Sequence, residues 1–594
     1  LNQTRAKLKM TEVQKYKDKN GAFGCDDLIQ MTRNSSNKMK FKIASVPFHE
    51  IILKHRALKK WQNNEKASAV NLLLNSHDSS IRDRVLHYFR NNVYSSYKSS
   101  KDKPKNSDNG FLDYQEDCLK KEIPDIQEIL KDIPKEWTIV QITSLPTKAQ
   151  CFSAFGVQKE TPQTPDFIIA RYSKLSKEPL FAHITPFKSS PSRDGTIGLM
   201  AMLNELIQDH NHANRSFRDD KALYWQKRHE HHKQMQQFIR AMELEYVGSW
   251  VYLLLGSLPK DYLPSNFDEA VEDLVKLGMS PDHAEAIVAS LPYMSLEDLC
   301  TVHPAQLAPV ENLKIWLKKY QKIKKVIEKA RRDPVILILD KVMQGLPWES
   351  LECLKNQSVT RVPSLSILKI LLDRHKAERV KTLKLNGKAV GCNPPKAFYV
   401  LNPEGDLRKV QERLEGIVKA IWGDNGTINS RPDFETLQMK LETEDLFVYL
   451  GHGSGTQYIR GDKIVKKLVR PVVTLFGCSS AKMVYWCSRV DPMGTVIHYL
   501  IAGAPCCLGM LWEVTDLDCD RMTVQFWQYW LGNLFPALLD STPPEFANCF
   551  SKISKGETEQ DLARCASMAK EIASSYINRC ALVVYGLPTE SFSS

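Results

Sequence analysis

The chain has 594 residues, of which 43% are apolar and 25% charged, and a formal net charge of +12. At about 150 residues per domain, this length excludes a single core and predicts three or four folded units. The charge is moderate, and no Lys/Arg stripe alternates with aromatic residues, which argues against direct nucleic-acid recognition. The 14 scattered cysteines indicate reduced thiols rather than a disulfide framework or a zinc site.

Residues 1–110 are predicted to be a helical region with a flexible N-terminus and a Ser/Lys-rich linker. Apolar spacing between 43 and 92 indicates two or three amphipathic helices. The stretch 94–110 is rich in Ser, Lys, Asp and Asn, which is typical of a linker.

Residues 111–333 combine short apolar runs with long helical stretches. Strands are predicted at 137–142, 167–172 and 180–184, and helices within 196–256 and 266–332. Five histidines fall in the first helical stretch: His210, His212, His229, His231 and His232. No Cys or acidic partner completes a ligand set, so a solvated helix surface is expected there rather than a metal site.

Residues 334–594 alternate strand and helix patterns. This alternation predicts an α/β fold with a parallel-dominated sheet and helices on both faces. The predicted strands are 335–339, 397–401, 446–450, 471–476, 506–512 and 581–585, and the predicted helices are 407–422, 479–488, 493–502, 521–535 and 558–577. The most apolar run, 496–512, is interrupted and shorter than the roughly 20 residues of a membrane helix, so no membrane contact is expected.

Two successive strands in this region end in a glycine turn that carries one reactive side chain. Strand 446–450 leads to His452, and strand 471–476 leads to Cys478. Because parallel strands present their carboxyl ends at one edge of a sheet, these side chains are expected to be neighbours. A thiol beside an imidazole is a nucleophile with its base. A helix opening after Cys478 would favour the thiolate and lower its pKa.

The glycines around the two tips suggest how a substrate carbonyl would be bound. The backbone amides of Gly453 and Cys478 are the candidates for an oxyanion hole. Taken singly, a Cys after a buried strand is compatible with a core residue, and a His beside Gly with a turn residue. The sequence around Ser454 does not form a nucleophile elbow, and no Lys-Ser/Thr follows the glycines as in a P-loop.

Four carboxylates follow the strand at 506–512, namely Glu513, Asp516, Asp518 and Asp520. At the sheet edge that carries Cys478 they would form a pocket for a guanidinium group. They are equally suited to cap the helix that follows. Both interpretations remain open from the residues alone.

Several motifs of this region resemble the catalytic core of the separase family of caspase-like cysteine endopeptidases. The motifs are Leu-Gly-His-Gly-Ser-Gly (450–455), Leu-Phe-Gly-Cys-Ser-Ser (475–480), Ala-Gly-Ala-Pro (502–505), Leu-Trp-Glu-Val-Thr-Asp-Leu-Asp-Cys-Asp (511–520), Leu-Ile-Leu-Asp (337–340), Leu-Pro-Trp-Glu-Ser (346–350) and Phe-Tyr-Val-Leu-Asn-Pro (398–403). The similarity is strong over 334–588 and weaker back to residue 137.

The resemblance implies a caspase-like fold and a His452/Cys478 dyad without cofactor or metal. It implies cleavage after Arg in Glu-x-x-Arg sequences of the kleisin subunit of cohesin, at anaphase, with Asp520 the first and Asp516 the second choice for the carboxylate that binds the P1 Arg. It further implies a substrate-binding or pseudo-protease region with a helical bundle over 111–333, and a protease domain over 334–594.

The resemblance also implies partners and a location. A securin-type inhibitor would occupy the cleft, and the protein would act in the cytoplasm and on nuclear chromosomes, near the mitotic spindle. Family members are generally longer, so a helical-repeat half is either missing here or supplied by a separate subunit. One Glu-x-x-Arg match, 328–331, lies in a predicted helix, which disfavours self-cleavage there.

Two other functions compatible with the motifs are a non-catalytic caspase-like scaffold and a caspase-like protease with unrelated substrates.

Overall fold

A computed structural model describes residues 46–77, 81, 126–145, 166–185, 199–216, 220–303, 309–385, 395–484, 492–531, 546 and 561–588. The predicted flexible N-terminus before residue 46 and the predicted linker at 94–110 lie outside these residues. Nothing in the described residues therefore tests those two predictions.

The described strands form one sheet of eleven. The strands are β1 (Thr138–Ser144), β2 (Phe167–Ser173), β3 (Leu180–Ile184), β4 (Val335–Leu339), β5 (Val359–Val362), β6 (Ala397–Leu401), β7 (Gly426–Ile428), β8 (Leu446–Leu450), β9 (Val472–Leu475), β10 (Cys506–Met510) and β11 (Leu582–Gly586). Their order across the sheet is β3-β2-β1-β4-β5-β11-β10-β9-β8-β6-β7. Most neighbours are parallel, as in the predicted α/β fold, and the antiparallel pairs are β1/β2, β2/β3 and β10/β11.

The antiparallel contact between β10 and β11 separates two parallel groups of opposite direction, and β2 and β3 join the first group through antiparallel pairs at its edge. β11 is parallel to β5, β5 to β4 and β4 to β1. On the other side β10, β9, β8, β6 and β7 run parallel to one another. The carboxyl ends of β8 and β9 therefore lie at one rim of the sheet, and those of β1 and β4 at the opposite rim.

Helices connect and cover these strands. They are α1 (Val46–Gln62), α2 (Ile126–Asp132), α3 (Leu199–Ser216), α4 (Lys221–Ala241), α5 (Phe267–Lys276), α6 (Pro281–Ser290), α7 (Leu296–Val302), α8 (Val310–Lys329), α9 (Leu365–Leu385), α10 (Arg408–Trp422), α11 (Phe434–Thr443), α12 (Gly461–Ile464), α13 (Thr495–Ile501), α14 (Asp516–Leu531), α15 (Leu562–Ala569) and α16 (Tyr576–Arg579). Helical backbone also covers 66–77. Strands β4, β6, β8, β9, β10 and β11 are buried throughout, as expected for a sheet covered on both faces.

The sheet crosses the predicted boundary between residues 333 and 334. β1 pairs with β4 in register from Thr138 opposite Val335 to Ile142 opposite Leu339. The regions 111–333 and 334–594 thus share one sheet, and the division of the chain at that point stays a prediction.

Four helix predictions were wrong in detail, one of them being 558–577, where α15 ends at Ala569 and α16 begins at Tyr576. The residues after Cys478 form a turn over 478–481 rather than a helix beginning at 479. Helix α14 begins at Asp516 rather than near Arg521, and α8 ends at Lys329, so that Arg331 lies outside it. The turn replaces a helix because Ser479 adopts φ of 58° and its N–H donates to the Trp512 carbonyl.

The prediction of a solvated surface for the five histidines of α3 and α4 holds for His212 and His229, which are exposed, but is wrong for two others. His210 and His231 are 1% and 0% exposed. His231 Nε2 lies 2.8 Å from Asp209 Oδ2, and His232 Nδ1 accepts a hydrogen bond from the Tyr576 amide. These side chains hold α3 and α4 together and attach α4 to the region of α16.

A buried polar cluster joins α1 to the carboxyl ends of β1 and β4. The Lys54 ammonium lies 3.0 Å from Asp340 Oδ2 and 2.8 Å from Glu50 Oε1, and Ser144 N–H donates to Asp340 over 2.7 Å. Lys54, Asp340 and Glu50 are at most 5% exposed. The N-terminal helix is therefore attached through buried charges, at the rim opposite β8 and β9.

Candidate active site

The tips of β8 and β9 are in direct contact. Phe476 N–H donates to the Tyr449 carbonyl over 2.9 Å. A Cβ atom built on Gly477 would lie 2.1 Å from the Gly453 carbonyl oxygen and 2.4 Å from that of Gly451. Only glycine fits at 477 because no side chain can occupy that gap. The loops that carry His452 and Cys478 are thus packed against each other at one rim.

His452 is fixed through its backbone and its ring. Its carbonyl accepts hydrogen bonds from the Tyr449 hydroxyl at 2.7 Å and from Gln457 Nε2 at 3.3 Å. Its Nε2 lies 3.0 Å from Oδ2 of Asp406, and the two side chains are 52% and 60% exposed. The ring is therefore accessible from solvent while one of its nitrogens is engaged by a carboxylate.

The thiol of Cys478 rests against the chain that follows β10. Sγ donates to the Val514 carbonyl over 3.1 Å and accepts from the Val514 amide over 3.5 Å. Burial raises the pKa of the Cys478 thiol. The Val514 hydrogen bond opposes this shift, whereas the charges of Asp516 and Glu513 add to it.

This pKa shift is opposite to the sequence prediction. The predicted lowering depended on a helix beginning after Cys478, and 478–481 is a turn. Within the described residues, no hydrogen bond joins His452 to Cys478, as is frequent before substrate binds.

The two amides expected to form an oxyanion hole lie on the contacting loops. Gly453 has φ of 62°, a left-handed conformation that favours glycine. Among backbone acceptors in the part of the chain that is described, neither the Gly453 nor the Cys478 N–H has a partner. Both donors are thus compatible with binding a substrate oxygen.

The four carboxylates after β10 have separate environments. Asp520 is 3% exposed and accepts a hydrogen bond from Arg413 Nε over 2.7 Å. Asp518 is 1% exposed and accepts from the Ser574 amide and from Asn578 Nδ2. These two carboxylates hold α14 to its neighbours, a structural role different from the helix capping suggested by the sequence.

The other two carboxylates lie closer to solvent. Asp516 is exposed at the start of α14, and Glu513 is ion-paired with Arg215 of α3. Both raise the pKa of the Cys478 thiol, so their charges act on this sulfur. Asp520, the first choice for binding a substrate Arg, would have to release Arg413 or share its carboxylate, whereas Asp516 is accessible.

The sequence prediction missed Asp406 and Arg413. A signal for Asp406 was present, since strand 397–401 also ends in a turn, Asn-Pro-Glu-Gly-Asp (402–406), that carries a reactive side chain. No comparable signal indicated that Arg413 of α10 pairs with Asp520, because that contact depends on the packing of α10 against α14.

The part of the chain that carries this site is similar to known proteins. The family described as "Separin, protease domain" matches residues 305–519, which include both strand tips. The matched stretch is less than half of the chain and is similar to separin protease domains. Separin of Mus musculus is 32% identical over 351 residues, which are 58% of this chain and 16% of that protein. Separin of Schizosaccharomyces pombe is 26% identical over 508 residues, or 78% of this chain and 26% of that protein.

A solved structure extends this likeness to nearly the whole chain. Separase in the crystal structure of the Saccharomyces cerevisiae separase–securin complex matches with a TM-score of 0.66 at 19% identity. The match covers 96% of this chain and 37% of that one. At this identity it shows the fold alone. The chain spans about a quarter or less of the length of these curated relatives, at 16% and 26%.

The described residues contain neither a membrane-spanning helix nor a metal-ligating cluster. No described helix is both long and apolar enough to cross a membrane. In the same residues, no three His, Cys, Asp or Glu side chains are grouped as a metal site would require.

Proposed function

We propose that the chain is a cysteine endopeptidase in which Cys478 is the nucleophile and His452 its base. The observation that carries this proposal is the packing of the two strand tips, where Gly477 lies against the carbonyls of Gly451 and Gly453. Two loops in such contact bring an imidazole and a thiol to the same rim. The similarity to separin protease domains over 305–519 supports the same reaction class.

The reaction would proceed in two steps. His452 takes the proton of Cys478, and the thiolate forms a bond to the substrate carbonyl carbon while the amides of Gly453 and Cys478 bind the oxyanion. The imidazolium then gives its proton to the departing amine as the C–N bond breaks, leaving a thioester. His452 then takes a proton from water as the water oxygen attacks the thioester carbon, the C–S bond breaks to release the carboxylic acid product, and the Cys478 thiolate regains the proton from the imidazolium.

We place the P1 guanidinium of the substrate on the carboxylates at the start of α14. Asp516 is its first contact because Asp516 is exposed and its charge already acts on Cys478. Asp520 would bind the substrate guanidinium only if Arg413 moved. The buried Asp520 carboxylate is already paired with the Arg413 guanidinium, so it would have to exchange one guanidinium for the other.

The substrate and partners follow from the resemblance to separases. The substrate is the kleisin subunit of cohesin, cleaved after Arg in Glu-x-x-Arg sequences to separate sister chromatids at anaphase. A securin-type inhibitor would bind along the cleft, as the matched structure is of a separase–securin complex. A helical-repeat subunit or segment would complete the assembly, which would act in the cytoplasm and at nuclear chromosomes near the spindle.

The test measures cleavage of matched peptides with Arg, Lys or Asp at P1 by the wild type and by Cys478→Ser. We expect hydrolysis of the Arg peptide by the wild type only, and a single covalent adduct with an Arg-directed acyloxymethyl ketone by intact mass. Turnover by Cys478→Ser would exclude Cys478 as the nucleophile.

The same assay distinguishes the alternatives. A non-catalytic scaffold would bind but cleave none of the three peptides, and a protease with unrelated substrates would prefer Lys or Asp.

A further inference from the structure

A third strand tip adjoins the two that carry His452 and Cys478. In the sheet, β6 lies next to β8, on the side away from β9. The chain leaving β6 is attached to β8 where the Asn402 amide donates to the Leu450 carbonyl over 2.8 Å. Asp406 lies in the turn that follows, and its Oδ2 is 3.0 Å from Nε2 of His452. Three consecutive tips thus supply a carboxylate, an imidazole and a thiol.

The turn that carries Asp406 has a fixed conformation. Asn402 adopts φ of 47°, and its side-chain oxygen accepts from the Leu407 amide over 2.9 Å. Its side-chain nitrogen donates to Gln411 over 2.9 Å, which ties the turn to α10. Gly405 has φ of 80° and leaves no room for a side chain beside Asn429. The position of Asp406 is therefore set by the turn rather than by burial of its own side chain.

The contact determines which ring nitrogen of His452 carries hydrogen. An ionised carboxylate only accepts hydrogen bonds, so the neutral imidazole facing Asp406 has its hydrogen on Nε2. Nδ1 is then unprotonated and available to take the proton of a thiol. We propose that Asp406 is a positioning residue of the peptidase, holding His452 in the tautomer and orientation in which Nδ1 acts as the base. This inference rests on the proposed peptidase function and adds a third residue to its two.

The exposure of the pair separates this role from a stabilising one. With side chains 52% and 60% exposed, the ion pair contributes little to the free energy of unfolding. Loss of Asp406 should therefore appear in kcat, because a base in the wrong tautomer affects proton transfer, and not in the melting temperature or in KM.

The test compares kcat, KM and thermal melting of Asp406→Ala and Asp406→Asn with the wild type, using the Arg peptide. We expect Asp406→Ala to lower kcat by about tenfold or more, a part of what general base catalysis contributes. Asp406→Asn should lose at least as much, although it keeps the size and hydrogen-bonding capacity of Asp. The Asn amide can donate to Nε2 of His452 and so favours the tautomer in which Nδ1 carries hydrogen and cannot act as the base. A purely structural role of Asp406 would predict no loss of kcat in this variant.

Glu404 provides the matched control, because it is an exposed carboxylate of the same turn that accepts from the Tyr458 hydroxyl over 3.0 Å. Glu404→Gln should keep wild-type kcat. Full kcat in Asp406→Ala, or restored kcat in Asp406→Asn, overturns the positioning role while the peptidase proposal stands. If the wild type shows no cleavage that Cys478→Ser abolishes, both proposals fail together.

Discussion

The surroundings of Cys478 would couple the proposed nucleophile to the charge of a bound substrate. Burial and the nearby charges of Asp516 and Glu513 raise the pKa of its thiol, so the unliganded protein holds it protonated. A guanidinium bound at Asp516 would neutralise one of those charges and thereby favour the thiolate. Binding of a P1 Arg would therefore also promote deprotonation of the Cys478 thiol.

The two candidate specificity carboxylates can be separated by substitution. Asp516→Asn should lower kcat/KM for the Arg peptide by at least tenfold, since the accessible charge facing the substrate is lost, with little change in the free energy of unfolding. Asp520→Asn should lower the free energy of unfolding by about 3 kcal/mol, because Arg413 would be left buried without its partner. Peptide kinetics and urea denaturation of both variants measure this contrast.

The opposite pattern, with Asp520→Asn stable but inactive towards Arg and Asp516→Asn unaffected, would return Asp520 to the role first predicted from the sequence. Equal losses of activity and stability in Asp520→Asn would leave its stabilising role intact.

Individual site residues were predictable to different degrees. His452 and Cys478 stand out because each follows a run of buried strand residues and a glycine, and sheet topology alone makes them neighbours. The raised pKa of the Cys478 thiol was not predictable, because it comes chiefly from burial of the sulfur, which exists only once the chain after β10 has packed against Cys478. The partner of Asp520 was hidden for the same reason, since Arg413 is 107 residues away in sequence.

Among the secondary-structure elements, α1 is the one whose attachment to the sheet depends most clearly on buried charges. Lys54→Ala should lower the free energy of unfolding by about 3 to 5 kcal/mol, because Asp340 would remain buried without the Lys54 ammonium, whereas Glu50 keeps its contact with Lys341 at 3.0 Å. Lys60 of the same helix is the control, as its pair with Glu65 is over 40% exposed, and Lys60→Ala should cost under about 1 kcal/mol. Urea denaturation near pH 7 gives both values, and similar losses would show that α1 is not held by the buried cluster.

The same cluster predicts how stability changes with acid. Burial favours the neutral acid, yet the adjacent Lys54 lowers the pKa of Asp340 to about 2. Because the folded pKa lies below the ordinary value of 3.8, the stabilisation is complete above about pH 4 and is lost as the pH falls from about 4 to 2. Burial also lowers the pKa of His77 to about 4, which begins to destabilise the fold below about pH 6.5.

Strands were predicted where the apolar run was continuous and missed where it was not. β5 reads Val-Thr-Arg-Val, and its Arg361 is 1% exposed, with its guanidinium 2.6 Å from Glu349 and hydrogen-bonded to the Gln344 and Leu346 carbonyls. β7 is a three-residue edge strand with half-buried residues. Periodicity cannot indicate either strand, since one depends on a distant ion pair and the other on an adjoining strand, β6.

At the scale of the whole molecule, the shared sheet predicts that residues 334–594 do not fold well alone. Removing 1–333 uncovers one edge of β4, whose five residues are all buried and pair with β1 or β5. An exposed apolar edge strand promotes association. We expect 334–594 to aggregate, and 46–594 to be monomeric and to melt cooperatively, when compared by size-exclusion chromatography and thermal denaturation. A monomeric 334–594 with the same melting temperature would contradict this expectation.

The reversal of strand direction between β10 and β11 has a consequence for ligands. A protein that binds α1 and a peptide that binds at Cys478 would contact opposite rims of the sheet. The two rims are separated by the length of a strand, about 17 Å for five residues. The two ligands could therefore be bound at the same time. Any coupling between the two binding events would have to be transmitted along the central strands, and it would not be competition for one site.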